Sequence, residues 1–277
     1  MTVLETLTAA AGYLTKRGIE SPRLNAEHLL AHVLGKKRLD LYLEFDRPLS
    51  DAERAPLRDL IRERGNGKPL QHLMGTAEFF GRSFLCDARA LIPRPETEQL
   101  IELLLPTLNP QPSTILDIGT GSGVIAITMA IERPEAAVFA TDVSPEALNL
   151  ARENASRHSR ETISFSEADL FPAGDECFGL IVANLPYIAS GDLPALQREV
   201  QSDPLTALDG GPDGLAIIER LIVRSPDRLA PGGSIALEIG HDQAERVTAF
   251  LGENNFRDIA VHTDYQNVQR FVLAIYG

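Results

Sequence analysis

Two cysteines, Cys86 and Cys177, are all that 277 residues contain, and neither belongs to a CxxC pair. That scarcity excludes a disulfide framework and a cysteine-rich zinc site, and a reducing cytoplasm is the expected setting. No apolar run approaches the roughly 18 residues that span a bilayer, so no membrane association is expected. Residues 1–13 carry Glu5 and no basic stretch, which speaks against a secretory leader. Lysine is absent after Lys68. Residues 76–277 hold 14 Arg against 29 Asp/Glu, a net of −15, whereas residues 1–75 hold 12 Lys/Arg against 10 Asp/Glu, a net of +2. A body that acidic repels a polyanion, so direct nucleic-acid binding is not expected. With 44% hydrophobic and 23% charged residues, the chain has globular composition.

The length suits two domains, or one large domain with an appendage. Residues 1–64 read as short amphipathic helices. Leu4, Leu7, Ala11 and Leu14 recur at helical spacing; Leu29, Leu30, Val33 and Leu34 form a second stripe that Gly35 is placed to end. Ser21 before Pro22 reads as an N-cap with proline at the first helical position. Ser50 with Glu53 reads as a capping box ahead of Leu57, Leu60 and Ile61. A helical N-terminal domain over residues 1–75 is expected, serving either as a packing appendage or as a dock for a protein substrate. Gly65-Asn66-Gly67-Lys68-Pro69 is turn chemistry near its end. Phe79 to Phe84 suggests a β-hairpin turning near Gly81, so residues 76–92 should link the two parts. Leu91-Ile92-Pro93-Arg94-Pro95 is too proline-rich for a helix interior and should be an extended entry segment.

From about Ile92 strands and helices alternate. Strand-like runs are Thr114–Ile118, Ala137–Thr141, Ile163–Ser166, Phe178–Ala183 and Ser234–Ile239. That rhythm predicts an α/β fold with a parallel sheet covered on both faces. Phe256–His262 and Val268–Ile275 have only a short connection, which joins antiparallel strands. Residues 93–277 are therefore expected to form a mostly parallel sheet with an antiparallel C-terminal hairpin.

The strongest local signal is Ile115-Leu116-Asp117-Ile118-Gly119-Thr120-Gly121-Ser122-Gly123, a buried strand running into three glycines before a helix. Such a loop lies beyond the carboxyl end of its strand, where the backbone can turn sharply and approach a ligand. Asp142 ends the next strand, where a carboxylate can accept hydrogen bonds from two ribose hydroxyls. The loop reads GxGxG. A dinucleotide fingerprint would need glycine where Val124 stands. The pattern is similar to the S-adenosylmethionine loop of Rossmann-like class I methyltransferases. A nicotinamide cofactor and a ligand-free tight turn are the competing readings. The cofactor set expected from the likeness is Gly119, Thr120, Gly121, Ser122, Gly123, Asp142 and Asn184, with Asp169 and Leu170 after the third strand placed to meet an adenine. Ser144 after Asp142 reads as a helix N-cap.

Asn184-Leu185-Pro186-Tyr187 directly follows the hydrophobic strand Leu180–Ala183. It resembles the Asn-Pro-Pro-Tyr motif of methyltransferases that act on planar nitrogen. Such a nitrogen has a delocalised lone pair and is a poor nucleophile. Acceptors on both its N–H groups, here the Asn184 side-chain oxygen and the Leu185 carbonyl, would orient it and stabilise the charge that develops on it. Tyr187 would stack on the planar group, with Pro186 closing the turn; Asn184 and Tyr187 are the residues expected to carry catalysis. The form Asn-Leu-Pro-Tyr also occurs in ribosomal RNA adenine dimethyltransferases, so the motif leaves amide and base open as acceptors.

Other segments bear on that choice. Pro69–Gly75, the Phe79/Gly81/Phe84 hairpin, Leu91–Glu98 and Ala207–Leu215 closely resemble the peptide chain release factor glutamine methyltransferases (PrmC/HemK). The likeness runs through nearly the whole chain. It implies a helical N-terminal domain, S-adenosyl-L-methionine as methyl donor, and transfer to the glutamine amide of the Gly-Gly-Gln motif in peptide chain release factors. A monomer is expected. An adenine-amino methyltransferase acting on RNA is the alternative, and a non-catalytic binding module a more remote one. Arg94, Glu96 and Glu98 could line the glutamine entrance or simply start a helix. His28 and His32 are four apart but lack a third ligand, so no metal is expected. Glu238 should make a structural hydrogen bond.

Overall fold

The computed structural model describes residues 1–107 and 113–277, which divide into two compact units. The first comprises Met1–Thr76 together with Gln197–Ser202, a stretch that linear reading assigns to the other part of the chain. Helices α1 (Val3–Lys16), α2 (Pro22–Leu34), α3 (Asp51–Gly65) and α4 (Leu70–Met74) build it. Thr2 and Glu5 cap α1 reciprocally, and Ser50 with Glu53 does the same for α3, so each helix start recruits its own side chains. The buried face of α1 is Val3, Leu7, Ala10 and Leu14; Leu4 and Ala11 lie off it, Leu4 being 41% exposed. These residues pack on Leu29, Leu30, Leu41 and Leu57.

Ser21 departs from expectation. It stands in the left-handed region at φ 48° and its side chain makes no cap. Asn25 competes for the turn, because its Nδ2 donates to the carbonyls of both Glu20 and Ser21. Arg64, buried, donates to Asn25 Oδ1 and to the Lys68 carbonyl and pairs with Glu199, which ties the returning segment into this unit.

The second unit begins at Ala77, inside β1 (Thr76–Phe79), which forms with β2 (Arg82–Leu85) a two-stranded sheet turning through Phe80 and Gly81, both at positive φ. That is the backbone of a tight two-residue hairpin loop. Pro95 opens α5 (Pro95–Thr107), consistent with proline's tolerance at a first helical turn. Among the described residues the main sheet has seven strands: β3 (Thr114–Ile118), β4 (Ala137–Asp142), β5 (Ser164–Glu167), β6 (Phe178–Asn184), β7 (Leu229–Glu238), β8 (Phe256–Thr263) and β9 (Gln269–Tyr276). Their order is β5-β4-β3-β6-β7-β9-β8, parallel except that β9 runs against both neighbours.

Strand alternation sends side chains to two cores. Leu116, Ile118, Ile181 and Ile235 pack with α8 (Ala216–Arg224) and α9 (Ala244–Glu253). Ile115, Leu180, Val182 and Ala236 pack with α5 and α6 (Val124–Glu132), while Ala155 of α7 (Pro145–Arg157) joins the same core. Both faces are therefore covered, which a parallel sheet requires.

Gly123, at φ 83°, is the cap of α6. A Cβ there would lie 3.0 Å from Ile127 Cδ1 and 3.1 Å from Ala151 Cβ, so strain and crowding act together. Gly123→Ala is expected to lower stability by about 2 kcal/mol, read from the midpoint of denaturant unfolding. An unshifted midpoint would contradict this account of the α6–α7 packing.

Candidate active site

The strand order reverses between β3 and β6, and the residues that leave their carboxyl ends share one cleft of about 1010 Å³, its open mouth included. Crevices at such switch points are where open α/β sheets bind ligands. Gly119, Thr120, Gly121 and Ser122 line it from β3, Asp142 from β4, Asp169 and Leu170 from beyond β5, and Asn184, Leu185 and Pro186 from β6. Gly123 does not line the cleft; its part is the helix packing described above. Tyr187 does not line it either, and packs on the core beneath α8 and α9. Burial pushes its phenol up to about 12, within reach of the charges of Glu238, Arg270, Arg94 and Glu96. The ring is thus neutral at ordinary pH.

The glycine loop is shaped by hydrogen bonds. The N–H groups of Gly119 and Thr120 both donate to the Thr141 carbonyl at 2.9 Å. Asp117, fully buried, accepts from Thr120 Oγ1 at 2.6 Å and from the Ala126 N–H at 3.0 Å, so it caps α6 from the strand below. Desolvation raises its carboxyl to about 7. Asp142 accepts from the Gly121 and Ser144 N–H groups, each at 2.9 Å, one on each oxygen. Its remaining lone pairs and its place in the cleft suit two vicinal hydroxyls. Ser144 caps α7 by accepting from Ala147 N–H. Leu170, at φ 75°, has its carbonyl held by Thr141 Oγ1 at 2.6 Å, and Asp169 pairs with Arg220.

Asn184 is set by Thr97 and Glu238, which the sequence did not connect with it. Its Nδ2 donates to Thr97 Oγ1 at 2.9 Å, and Thr97 Oγ1 donates to Glu238 Oε2 at 2.7 Å. The Asn184 side-chain oxygen is thereby left as the acceptor. Burial raises Glu238 to about 7. Glu238 does make a structural hydrogen bond, though one joined directly to the motif. The proline-rich segment is pinned by Asp203, which accepts from the Ile92 N–H at 3.2 Å and from Arg94 Nη2 at 2.6 Å. Arg94 therefore holds the wall of the cleft.

The segment Ala207–Leu215 supports the backbone that follows Asn184. A Cβ on Gly210 would lie 2.7 Å from the Pro186 carbonyl oxygen, and one on Gly214 only 2.3 Å from that of Tyr187. Only glycine permits such approach. Gln243 Nε2 then donates to the Tyr187 carbonyl at 2.9 Å and to that of Gly214 at 3.2 Å. Of the cysteines, Cys86 is buried and raised to about 12 by desolvation, whereas Cys177 is exposed. Among the described residues no group of three or more His, Cys, Asp or Glu is placed to hold a metal ion.

Sheet order, glycine loop and the acidic end of β4 together define a Rossmann-like class I methyltransferase fold. A methyltransferase from Pyrococcus furiosus shares it, with a TM-score of 0.54 and 18% identity over 72% of this chain and 90% of that one. Residues 5–75 match the family model of the PrmC N-terminal domain, and residues 96–202 match that of the methyltransferase small domain. The release factor glutamine methyltransferase of Geobacter sulfurreducens is 40% identical over 98% of this chain and 95% of its own length. That of Chlorobaculum tepidum is 41% identical over 97% and 95%. The chain belongs to the release factor glutamine methyltransferase family.

The raised carboxyl of Asp117 makes a pH prediction. Between its unfolded value near 4 and its folded value of about 7, the folded chain keeps a proton that the unfolded chain releases. This contribution to stability therefore falls as pH rises through that window. Asp117→Asn, an isostere of the protonated acid, should flatten the decline of Tm between about pH 4 and 7. An unaltered Tm profile would refute the assignment.

Proposed function

We propose that this protein transfers a methyl group from S-adenosyl-L-methionine to the side-chain amide nitrogen of the glutamine in the Gly-Gly-Gln motif of peptide chain release factors. The observation that carries the reading is Asn184: its NH₂ is tied inward to Thr97 and its oxygen is left as an acceptor at the edge of the glycine-lined cleft. Family membership over nearly the full length supports the protein substrate. The RNA alternative rested on Leu185 alone, and the acidic composition after residue 75 weighs against it.

When bound, the cofactor supplies an electrophilic methyl group on a sulfonium. Asp142 would hold the ribose hydroxyls, the backbone of Gly119, Thr120, Gly121 and Ser122 would shape the floor, and Asp169 and Leu170 would border the adenine. Asn184 Oδ1 and the Leu185 carbonyl would each accept one N–H of the glutamine amide, turning its nitrogen toward the methyl group. Holding both hydrogens favours positive charge on nitrogen as its lone pair is drawn into the new bond. The proton leaves to solvent afterwards, so no strong base is needed. Pro186 closes the turn. Tyr187, neutral and packed on the core, would support the motif from behind rather than stack on the amide.

The helical unit would dock the protein substrate, and the enzyme would act as a cytoplasmic monomer. No helix among the described residues is long and apolar enough to cross a membrane.

Incubation with methyl-labelled cofactor should label whole release factors and not ribosomal RNA; label in the RNA alone would overturn the reading. Asn184→Ala should lower kcat by about 10²–10³-fold while cofactor affinity changes little, as for the loss of one oxyanion-hole ligand. Deleting residues 1–75 should raise KM for the release factor far more than for the cofactor. Equal effects on both would reduce that unit to a stability element.

A further inference from the structure

Three elements meet at Asn184. Asn184 ends β6, Glu238 ends β7 directly opposite it in the sheet register, and Thr97 comes from the first turn of α5. Thr97 and Glu238 are 3% and 2% exposed, so water does not compete for their hydrogen bonds. An ionised carboxylate only accepts. The single hydroxyl hydrogen of Thr97 must therefore go to Glu238, at 2.7 Å, which leaves the hydroxyl oxygen only to accept. It accepts from Asn184 Nδ2 at 2.9 Å. The same NH₂ also helps to hold the Glu238 charge. The two ends of an amide have nearly the same shape, and among the described residues this chain of donors and acceptors tells them apart.

We propose that Thr97 and Glu238 are positioning residues that fix the polarity of Asn184, so that its oxygen and never its NH₂ meets the acceptor nitrogen. The inference rests on the reading of Asn184 as the group that holds a substrate N–H. Flipped, the amide would set a donor against a donor, and the substrate nitrogen would lose its orientation. Such a lock selects for planar nitrogens that carry hydrogen and against acceptor groups of similar shape.

The lock is tied to the charge state of Glu238. Once protonated, Glu238 becomes a donor; Thr97 Oγ1 can then accept from it and send its own hydrogen toward Asn184 Oδ1, which favours the flipped amide. Arg270 from β9 opposes that protonation and Glu96 from α5 promotes it, with the neutral Tyr187 phenol nearby. Burial outweighs both and places the titration at about 7. Turnover should consequently fall as pH drops below that value, because the ionised form is the locked one.

The test uses the full-length enzyme with a whole release factor as methyl acceptor, following kcat across pH and cofactor affinity by calorimetry. Thr97→Val should lower kcat by about tenfold with cofactor affinity held within about threefold, and Thr97→Ser, which restores the hydroxyl, should recover most of the loss. Glu238→Gln, which cannot titrate, should abolish the acid limb of the kcat profile. Wild-type kcat in Thr97→Val alongside an impaired Asn184→Ala would overturn the lock and leave the Asn184 reading standing. Wild-type kcat in Asn184→Ala would remove the reading underneath. An equal loss of cofactor affinity in Thr97→Val, or an acid limb that persists in Glu238→Gln, would also overturn the proposal.

Discussion

In the parallel pairing of β3 with β6, Ile118 lies opposite Ala183, and both chains leave the sheet just beyond that pair. The glycine loop and the Asn184 motif are thus neighbours because two strands share a register, although 65 residues separate Gly119 from Asn184. A further pairing sets Asn184 against Glu238 on β7. A slip of one residue in either pairing would turn the alternating side chains to the opposite face and break the site along with the core. Because both faces are packed, such a slip would place core residues such as Ile181 and Val182 against the wrong helices, and this holds the register.

Buried carboxylates are the second constraint. An acidic chain has many to place, and burying one is costly unless its lone pairs are met. Asp203 and Glu238 meet that condition by holding something the cleft needs, whereas Asp117 meets it only at Oδ2, its Oδ1 being buried with no hydrogen-bond partner among the described residues. Asp117 holds the start of α6 and Thr120, Asp203 holds Ile92 and Arg94, and Glu238 holds Thr97. Asp117 and Glu238, both raised to about 7, keep part of that cost in the folded state. Residual strain of this kind is common where geometry serves chemistry.

Behind the motif, backbone geometry is held by backbone contacts. Gly210 and Gly214 let the Ala207–Leu215 segment close on the carbonyls of Pro186 and Tyr187, and Gln243 bridges Tyr187 to Gly214. The result is a turn after Asn184 with little freedom to shift. A main-chain acceptor such as the Leu185 carbonyl gains direction from that rigidity, since a side chain cannot replace it or move it.

Strand and helix order, the GxGxG loop, Asp142 and the Asn-Leu-Pro-Tyr turn were legible in the sequence because each is local: a periodicity, a glycine spacing, a residue at a strand end. The Ser50–Glu53 box and the Gly35 stop were legible for the same reason, and Ser21 misled because a more distant side chain, Asn25, took the turn. Asp203 and Gln243 carry no local signal, and although Thr97 stands in the Leu91–Glu98 block and Glu238 was expected to make a structural hydrogen bond, nothing local names the residue that each one meets. Nor does linear order show that Gln197–Ser202 joins the helical unit. The sequence by itself determined which kinds of chemistry were present and on which strand ends. Only the tertiary structure decided which end of the Asn184 amide faces the cleft, because hydrogen-bond polarity passes through residues far apart in the chain and brought together only by packing.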